Sequence, residues 1–350
     1  MTSTWFGLEI ARRGMMVHQK ALEITGHNLA NASTPGYSRQ EAVINPTDPF
    51  TVPSIDSSVT PGQLGTGVLV SSIRRIKDEY LDNNVRCSTA DSAYWEVQVS
   101  VLQRAEASFA EPASDGINDR LTNFFTSWMD LNNTPQDPGV KAAVAQAGDS
   151  LATLMSYTYK QLSEIEKSVA VIESPAVTSG MLADQVNEAN DLLVQIRELT
   201  EAIEKVYSVG QQPNDLLDQR DQLLEELSKF GPVGVSFETV GGKPTGELEM
   251  TFFGVDVRDD TVFLGLATDG EKISLTIDGI DVINLTDNCL DTSQGGSLLG
   301  LERARQNIKN YKEMLNNIAV ELRDNVGDVG ISSGYYFFEG DLESGSFKVN

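Results

Sequence analysis

The sequence predicts a mainly α-helical protein with an inserted small β domain, an α+β fold in which long helices form an elongated bundle or coiled-coil rod. Apolar residues recur three and four positions apart over most of the 350 residues, which is the spacing of amphipathic helices. Between residues 235 and 292 they alternate with polar residues, as in strands. A late segment repeats its apolar positions in heptads, which favours long packed helices.

The first predicted element is a helix from Ser3 to Asn31 that carries two apolar stripes. One stripe consists of Leu8, Ala11, Met15, His18, Leu22, Thr25 and Leu29. The other consists of Ile10, Gly14, Val17, Ala21 and Ile24. A helix with apolar residues on two faces needs more than one neighbour.

A turn and an extended segment follow this helix in the stretch "HNLANASTPGYSRQ". Asn28 and Asn31 are placed to cap helix carbonyl groups. Pro35 and Gly36 suit the two central positions of a type II turn. Residues 38–70 contain several prolines and are predicted to be mostly extended.

After this segment the apolar residues again have helical spacing, which predicts that most of the middle of the chain is helical. The predicted helices are Tyr80–Ala110, Ile117–Leu131, Val140–Glu173, Leu182–Val206 and Asn214–Phe230. Asn214 is the expected N-cap of the last one. That helix also carries acidic residues, interpreted as a solvated charged face, namely Asp215, Asp218, Asp221 and Glu225.

Strands and a final helix complete the pattern. In "KISLTIDGIDVI" the pair Asp278 and Gly279 predicts a tight hairpin turn. After "SQGGS" a helical seam runs through Leu301, Ala304, Ile308, Tyr311, Leu315, Ile318 and Leu322. This regularity favours a rod-like bundle or coiled coil, and an ordinary core helix is the alternative.

The charge of the chain limits its partners. It has 26 Lys and Arg against 51 Asp and Glu, and a formal net charge of −25. Like charges repel, so a nucleic acid or an anionic membrane is disfavoured as a partner. Charged residues interrupt the first thirty positions, so we expect no Sec signal peptide.

The sequence offers no candidate catalytic, cofactor-binding or metal-binding residues. Cys87 and Cys289 lie far apart and lack the spacing of a metal knuckle or redox pair. His18 and His27 both lie in the first predicted helix, without the spacing of a metal site or a partner nucleophile. We therefore predict a protein that is not an enzyme and uses no cofactor.

The stretch "ANASTPGYSRQ" resembles the motif shared by bacterial flagellar axial proteins, which are the rod, hook and junction subunits. The residues that carry it are Asn28, Ala30, Asn31, Thr34, Pro35, Gly36, Tyr37, Arg39 and Gln40. Four further stretches resemble the hook-associated protein 1 family of the hook-filament junction: "GTGVLVSSIRRIKDEYLDNNVR", "LTNFFTSWMDLNNTPQDPGVKAAV", "NDLLDQRDQLLEELSKF" and "GGSLLGLERARQNIKNYKEMLNNIAVELRDNV".

The resemblance implies a structural subunit that joins hook to filament in the extracellular flagellum and is exported by the flagellar type III apparatus without a cleaved signal peptide. The partners it implies are further copies of the chain, the hook protein, the second junction protein and a flagellar export chaperone. In the family a C-terminal helix pairs with the N-terminal one and contacts the chaperone, and we expect that helix to lie outside these 350 residues. Assembly contacts are expected on the helix Leu8–Leu29 and on the elbow Asn28–Gln40.

The same reasoning gives an expected domain order. It comprises an axial helix and elbow at 1–70, a helical rod domain at 71–234, an inserted β domain at 235–292, a returning helix at 293–330 and an incomplete C-terminal segment at 331–350. Two other functions stay open at this point. One is another flagellar axial protein of the hook or distal rod. The other is an extracellular coiled-coil adhesin or a cell-wall hydrolase carried on an axial scaffold.

Overall fold

The computed structural model of the protein describes residues 4–49, 65–109, 116–173, 175–240, 243–259, 261–269, 272–290, 295–327 and 337–350. Its helices are α1 Thr4–Ala30, α2 Glu79–Phe109, α3 Ile117–Asn133, α4 Pro138–Val169, α5 Met181–Ser208, α6 Asn214–Ser228, α7 Leu285–Asn288 and α8 Ser297–Gly327. Its strands are β1 Gln40–Pro46, β2 Val68–Arg75, β3 Val171–Glu173, β4 Ala176–Ser179, β5 Val233–Val240, β6 Lys243–Phe252, β7 Val255–Asp256, β8 Leu264–Asp269, β9 Lys272–Ile277, β10 Ile280–Asn284, β11 Phe338–Glu339 and β12 Lys348–Val349. The predicted fold class, mainly α with small β parts, is confirmed.

The helix predicted over Val140–Glu173 is too long at its C-terminal end. Helix α4 stops at Val169, and Ala170 leaves it with an extended backbone. The next residues form β3, which pairs with β4 and joins a five-stranded sheet in the order β10, β9, β8, β4, β3. Two consecutive β-branched residues, Val171 and Ile172, favour that extended conformation over a further helical turn.

The chain divides into two compact units, described separately below. The first unit contains residues 1–86, 192–227 and 233–260, and the second contains residues 87–191, 228–232 and 261–350. Strands β5, β6 and β7 form a sheet of the first unit, whereas β8, β9 and β10 belong to the second. The segment 235–292 thus supplies strands to two sheets, and the predicted domain boundaries stay a prediction.

In the first unit, α1 packs against a two-stranded ribbon. Strands β1 and β2 pair antiparallel, and both contact α1. Val17 and Ile24 of α1 are buried beneath them, because they lie seven positions apart and so share one helix face. One of the two apolar stripes of α1 is therefore covered by this ribbon.

In the second unit, α3, α4 and α8 enclose an aromatic and aliphatic core. Phe124, Leu151, Met155 and Leu322 belong to this core, together with residues of the C-terminal hairpin β11 and β12. Gly300, in the stretch "GGSLLGL", allows close packing of α8 against α2. A Cβ at that position would lie 2.5 Å from the carbonyl oxygen of Tyr94 on α2, so only glycine allows this approach.

The turn predicted at Asp278 and Gly279 is confirmed. Both residues have positive φ, +52° and +76°, and Ile277 pairs with Ile280 across the turn. Two consecutive residues with positive φ are typical of a type I′ hairpin turn. None of the described helices has the length and apolar character needed to cross a lipid bilayer.

Candidate assembly site

The elbow that follows α1 is held by one asparagine side chain. Asn28 Oδ1 accepts hydrogen bonds from the backbone N–H of Gln40 at 2.9 Å and from the hydroxyl of Tyr37 at 2.8 Å. Asn28 Nδ2 donates to the carbonyl oxygen of Gln40 at 2.8 Å. Because the Tyr37 hydroxyl donates its hydrogen to Asn28, it acts as the acceptor towards His27 Nδ1, which lies 2.9 Å away.

The chain reverses in a turn with the geometry that Pro35 and Gly36 were predicted to provide. The N–H of Tyr37 donates to the carbonyl oxygen of Thr34 at 3.3 Å, and Gly36 has φ +74°. Positive φ at the third position of a turn whose second residue is proline is typical of type II. Asn31 stabilises the approach by donating to the His27 carbonyl and accepting from the Thr34 hydroxyl.

Helix α6 binds the elbow from the other side through carboxylates. Asp218 accepts from the backbone N–H of Ser38 at 3.0 Å and from Arg75 at 2.8 Å. Asp221 accepts from Arg75 at 2.7 Å and from Lys77 at 2.6 Å. The interpretation of these two aspartates as a solvated face is wrong, because their side chains are only 8% and 11% exposed.

The electrostatics of this cluster are those of a buried, well-compensated ion pair. Burial alone would raise the pKa of Asp221, but the charges of Arg75 and Lys77 outweigh it and hold that pKa below the ordinary value. Burial alone would lower the pKa of Arg75, but Asp221 and Asp218 outweigh it and raise that pKa. Both partners are therefore charged at neutral pH.

Asn214 also contributes to this site, in a role different from the one predicted. Its Nδ2 donates to Gln40 Oε1 at 3.2 Å and to the carbonyl oxygen of Ile73 at 3.1 Å. Its Oδ1 has no hydrogen-bond partner in the described part of the chain, so the predicted N-cap bond is absent. The side chain instead ties the start of α6 to β1 and β2, and Gln40 Nε2 donates onward to Asp215.

The other stripe of α1 remains exposed. Leu8 is 59% exposed, Met15 67%, Leu22 70% and Leu29 77%, and these four residues are spaced one heptad apart. Ala11, between the first two, is exposed as well. This row of apolar side chains, called the outer stripe below, has the spacing of a coiled-coil seam.

The predicted seam of α8 lies mostly inside the second unit. Leu301, Ala304 and Ile308 are fully buried, and Leu315 and Leu322 nearly so. The two remaining positions are more exposed: Tyr311, which lies edge-on to Phe109, and Ile318. This pattern is that of a helix packed in the core of its unit, with an exposed edge.

The remaining motif residues differ in their surroundings. Ala30 is exposed at the end of α1. Arg39 has an exposed side chain, and its carbonyl oxygen accepts from the N–H of Ile76 at 2.8 Å. Sequence reasoning missed Arg75 and Lys77. The strand period could have indicated Arg75, which lies two residues after the inward-facing Ile73, whereas Lys77 lies in the loop after β2 and has no such signal.

No group of three or more His, Cys, Asp or Glu side chains in the described residues is arranged to hold a metal ion. His27 takes part in the elbow, and His18 is exposed on α1. The exposed features of this site are a rigid turn and an apolar helix face.

Comparison with known proteins shows that the chain is similar to flagellar proteins. A model of the helical domain of the flagellar hook-associated protein FlgK matches residues 102–332. A model of the flagella basal body rod protein matches residues 8–37, which contain most of α1 and the elbow turn. The two matches together cover most of the chain, and the second ends at Tyr37, one residue before the backbone N–H of Ser38 that donates to Asp218.

Individual relatives agree with these models. The flagellar hook-associated protein 1 of Bacillus subtilis is 32% identical over 277 residues, which are 79% of this chain and 53% of that protein. The protein of the same name from Salmonella typhimurium is 28% identical over 66% of this chain and 39% of its own length. The chain thus spans about half or less of the length of these relatives.

A solved structure shares the fold. The flagellar hook junction protein FlgK from Burkholderia pseudomallei superposes with a TM-score of 0.53. The match covers 71% of this chain and 43% of that one, at 23% sequence identity. At this level of identity the likeness concerns the fold alone.

Proposed function

The chain belongs to the family of the flagellar hook-associated protein FlgK, and on that premise we propose that it is a structural subunit that joins the flagellar hook to the filament. The family is one of structural proteins, and the site described above is built for contact rather than for chemistry. The work of such a subunit is to form stable, oriented contacts with its neighbours. We assign those contacts to α1 and the elbow.

The outer stripe of α1 is the observation that carries this proposal. Its four large side chains, Leu8, Met15, Leu22 and Leu29, are mostly exposed. Full burial of such a side chain stabilises by roughly 1.5–3 kcal/mol. A mating helix with matching apolar residues would therefore gain a large free energy by covering the stripe, and its heptad spacing would set the register.

The elbow gives that contact a direction. Asn28 fixes the path of the chain from α1 into β1, and Asp218 and Asp221 fix the same ribbon to α6. Because these bonds join segments distant in sequence, α1 is held at a set angle to its own unit. A subunit in a regular assembly needs such a fixed angle, since each contact repeats along the structure.

The proposed partners follow from the same assignment. They are further copies of this chain, the hook protein on one side and the second junction protein on the other. A flagellar export chaperone is a further proposed partner, before assembly. The proposed location is the extracellular flagellum, reached through the flagellar type III apparatus without a cleaved signal peptide.

Deletion of the gene in its native host tests the proposal. Electron microscopy of the cells, together with an assay for filament protein in the medium, separates the possible positions. Intact hooks with bare tips and shed filament protein are expected. Absent hooks would move the protein to the hook or distal rod, and normal flagella would overturn the proposal in favour of an adhesin.

A further inference from the structure

A cavity of about 700 Å³ lies in the first compact unit, lined by the start of α2, by α6 and by the β5–β6 ribbon. Cationic side chains reach it from several elements. They are Arg75 from the end of β2, Lys77 from the loop after it, Arg86 from α2 and Arg220 from α6. This concentration is unusual in a chain with a net charge of −25.

Arg220 is buried without full compensation. The residue is 1% exposed, and its Nη1 donates to the carbonyl oxygen of Gly246 at 3.0 Å. Its guanidinium carbon lies 5.3 Å from the centroid of the Phe237 ring, a cation–π contact. Its Nε is buried and has no acceptor. A buried charged donor without an acceptor is strongly unfavourable, so a group that supplies one is correspondingly favoured.

Arg86, which lines the same cavity, also has a buried nitrogen, Nε, without an acceptor among the described residues. Buried side-chain nitrogens of this kind are rare in folded proteins, and each needs an explanation. Arg86 and Arg220 therefore line one cavity, and each has a buried Nε–H without an acceptor in the described part of the chain. One acceptor bound in the cavity would serve both groups.

Four of the five carboxylates in the wall of the cavity already have other partners, and the fifth, Glu79, accepts from neither Arg86 Nε nor Arg220 Nε. Asp221 is bound by Arg75 and Lys77. Asp82 lies 3.2 Å from Lys77. Glu238 shares a hydrogen bond with Glu247, which raises the pKa of Glu238. The acceptor for Arg86 and Arg220 therefore has to come from outside this set.

We propose that this cavity binds an oxyanion, a carboxylate or a phosphate, between the guanidinium groups of Arg86 and Arg220. The planar guanidinium forms paired, charge-assisted hydrogen bonds with both kinds of group. The anion has two possible sources, a free small molecule or an acidic side chain of a neighbouring protein. A cavity of about 700 Å³ has room for either, and each presents the same two-oxygen edge to a guanidinium group.

Calorimetric titration of the full 350-residue chain tests this inference. The probes are inorganic phosphate and N-acetyl-glutamate amide, at ionic strength held constant with chloride. Saturable binding of one of them is expected, and Arg86→Gln should weaken it about tenfold because one charge-assisted donor pair is lost. Preference for phosphate identifies a free anion as the source, and preference for the glutamate derivative identifies a protein side chain.

Two further variants make the outcome decisive. Arg86→Lys keeps the positive charge but loses the paired N–H donors of the guanidinium group. Its affinity for the anion should therefore fall between those of Arg86→Gln and the parent chain. Arg74→Gln is the matched control, because Arg74 is exposed and paired with Glu41 outside the cavity. Absence of saturable binding for both probes would overturn the inference, as would equal affinity of Arg86→Gln and the parent. Circular dichroism verifies that each variant is folded.

Discussion

Asn28 and Gln40 are joined by a reciprocal pair of hydrogen bonds, in which the side-chain amide of one residue pairs with the backbone N–H and C=O of the other at 2.9 and 2.8 Å. The amide thereby forms the same pair of hydrogen bonds that two residues exchange in an antiparallel sheet, here between the end of α1 and the start of β1. Only an amide supplies an acceptor and a donor in this geometry. The elbow therefore depends on the identity of residue 28.

Asn28→Ala is expected to destabilise the chain by about 1–3 kcal/mol, because the N–H and C=O of Gln40 lose their partners in a half-buried site. Thermal unfolding, followed by circular dichroism, measures the change. Asn84→Ala is the control, since Asn84 is exposed on α2 and should change stability by no more than about 0.5 kcal/mol. Equal melting temperatures for the two variants would contradict the role assigned to Asn28.

The turn at Pro35 and Gly36 offers a second test of the elbow. Ala at position 36 must adopt φ near +74°, which costs roughly 1–2 kcal/mol for a residue with a Cβ. Loss of Pro35 adds about 0.4–1 kcal/mol, because the unfolded chain gains freedom. The double variant Pro35→Ala, Gly36→Ala should keep its helicity, unfold at lower temperature and enter flagella less efficiently than the parent.

Gly254→Ala is the matched control for that variant. Gly254 has φ +79° in the turn between β6 and β7, and a Cβ there would meet no atom within 4 Å. The substitution should therefore cost the same backbone strain of roughly 1–2 kcal/mol without changing the elbow, and it should leave incorporation unchanged. Equal incorporation of the double variant and the parent into flagella would count against the elbow as an assembly element.

The ion pair of Asp221 predicts a dependence of stability on pH. The pKa of this carboxyl is lower in the folded chain than in the unfolded one, so the folded state binds fewer protons. The stabilisation is complete above the unfolded value of about 4 and is lost as the pH falls through the folded pKa. Asp221→Asn should cost about 1.5–3 kcal/mol at pH 7, because Arg75 and Lys77 each lose a charged acceptor and keep only Asp218 and Asp82, and less at pH 3.

A surface aspartate provides the comparison. Asp256 pairs with Arg258 at 2.8 Å, but both side chains are more than 40% exposed. Asp256→Asn should therefore change stability by less than about 1 kcal/mol. If chemical denaturation gave both variants the same loss at pH 7, the ion pair of Asp221 would not have the importance that its burial implies.

Local features of this fold could be predicted from sequence, because neighbouring residues determine them. The bounds of α1, the turn at Gly36 and the hairpin at Asp278 follow from apolar spacing and from backbone preferences. The strand β3 was missed because its short apolar run also fits the last turn of the preceding helix.

Long-range features could not be predicted in the same way. The buried state of Asp218 depends on Arg75, which is 143 residues away in the chain. Neither the spacing nor the composition of α6 reveals that partner, and an acidic helix face without one is normally solvated. The sequence likewise predicts Asn214 as a helix cap, but in the structure its side chain donates hydrogen bonds to Gln40 of β1 and Ile73 of β2.

The outer stripe of α1 yields the most direct test of assembly. Leu22 is 70% exposed, so Leu22→Gln should change the stability of the isolated chain by no more than about 0.5 kcal/mol. In an assembly whose mating helix covers the stripe, the same change would bury an amide among apolar side chains, at a cost of about 1–3 kcal/mol for every copy. Because the contact repeats in each subunit, we expect weak motility and loss of the protein from purified flagella.

Lys20→Gln is the control for Leu22→Gln, because Lys20 is exposed on α1 and lies two positions from Leu22, so it points away from the outer stripe. Both variants are expressed from the native gene, and motility, flagellar incorporation and thermal unfolding are measured for each. Loss of incorporation in Leu22→Gln alone, with both melting temperatures unchanged, separates a contact defect from a folding defect. Normal incorporation of Leu22→Gln would show that the stripe stays exposed in the flagellum and would move the assembly contact elsewhere on the chain.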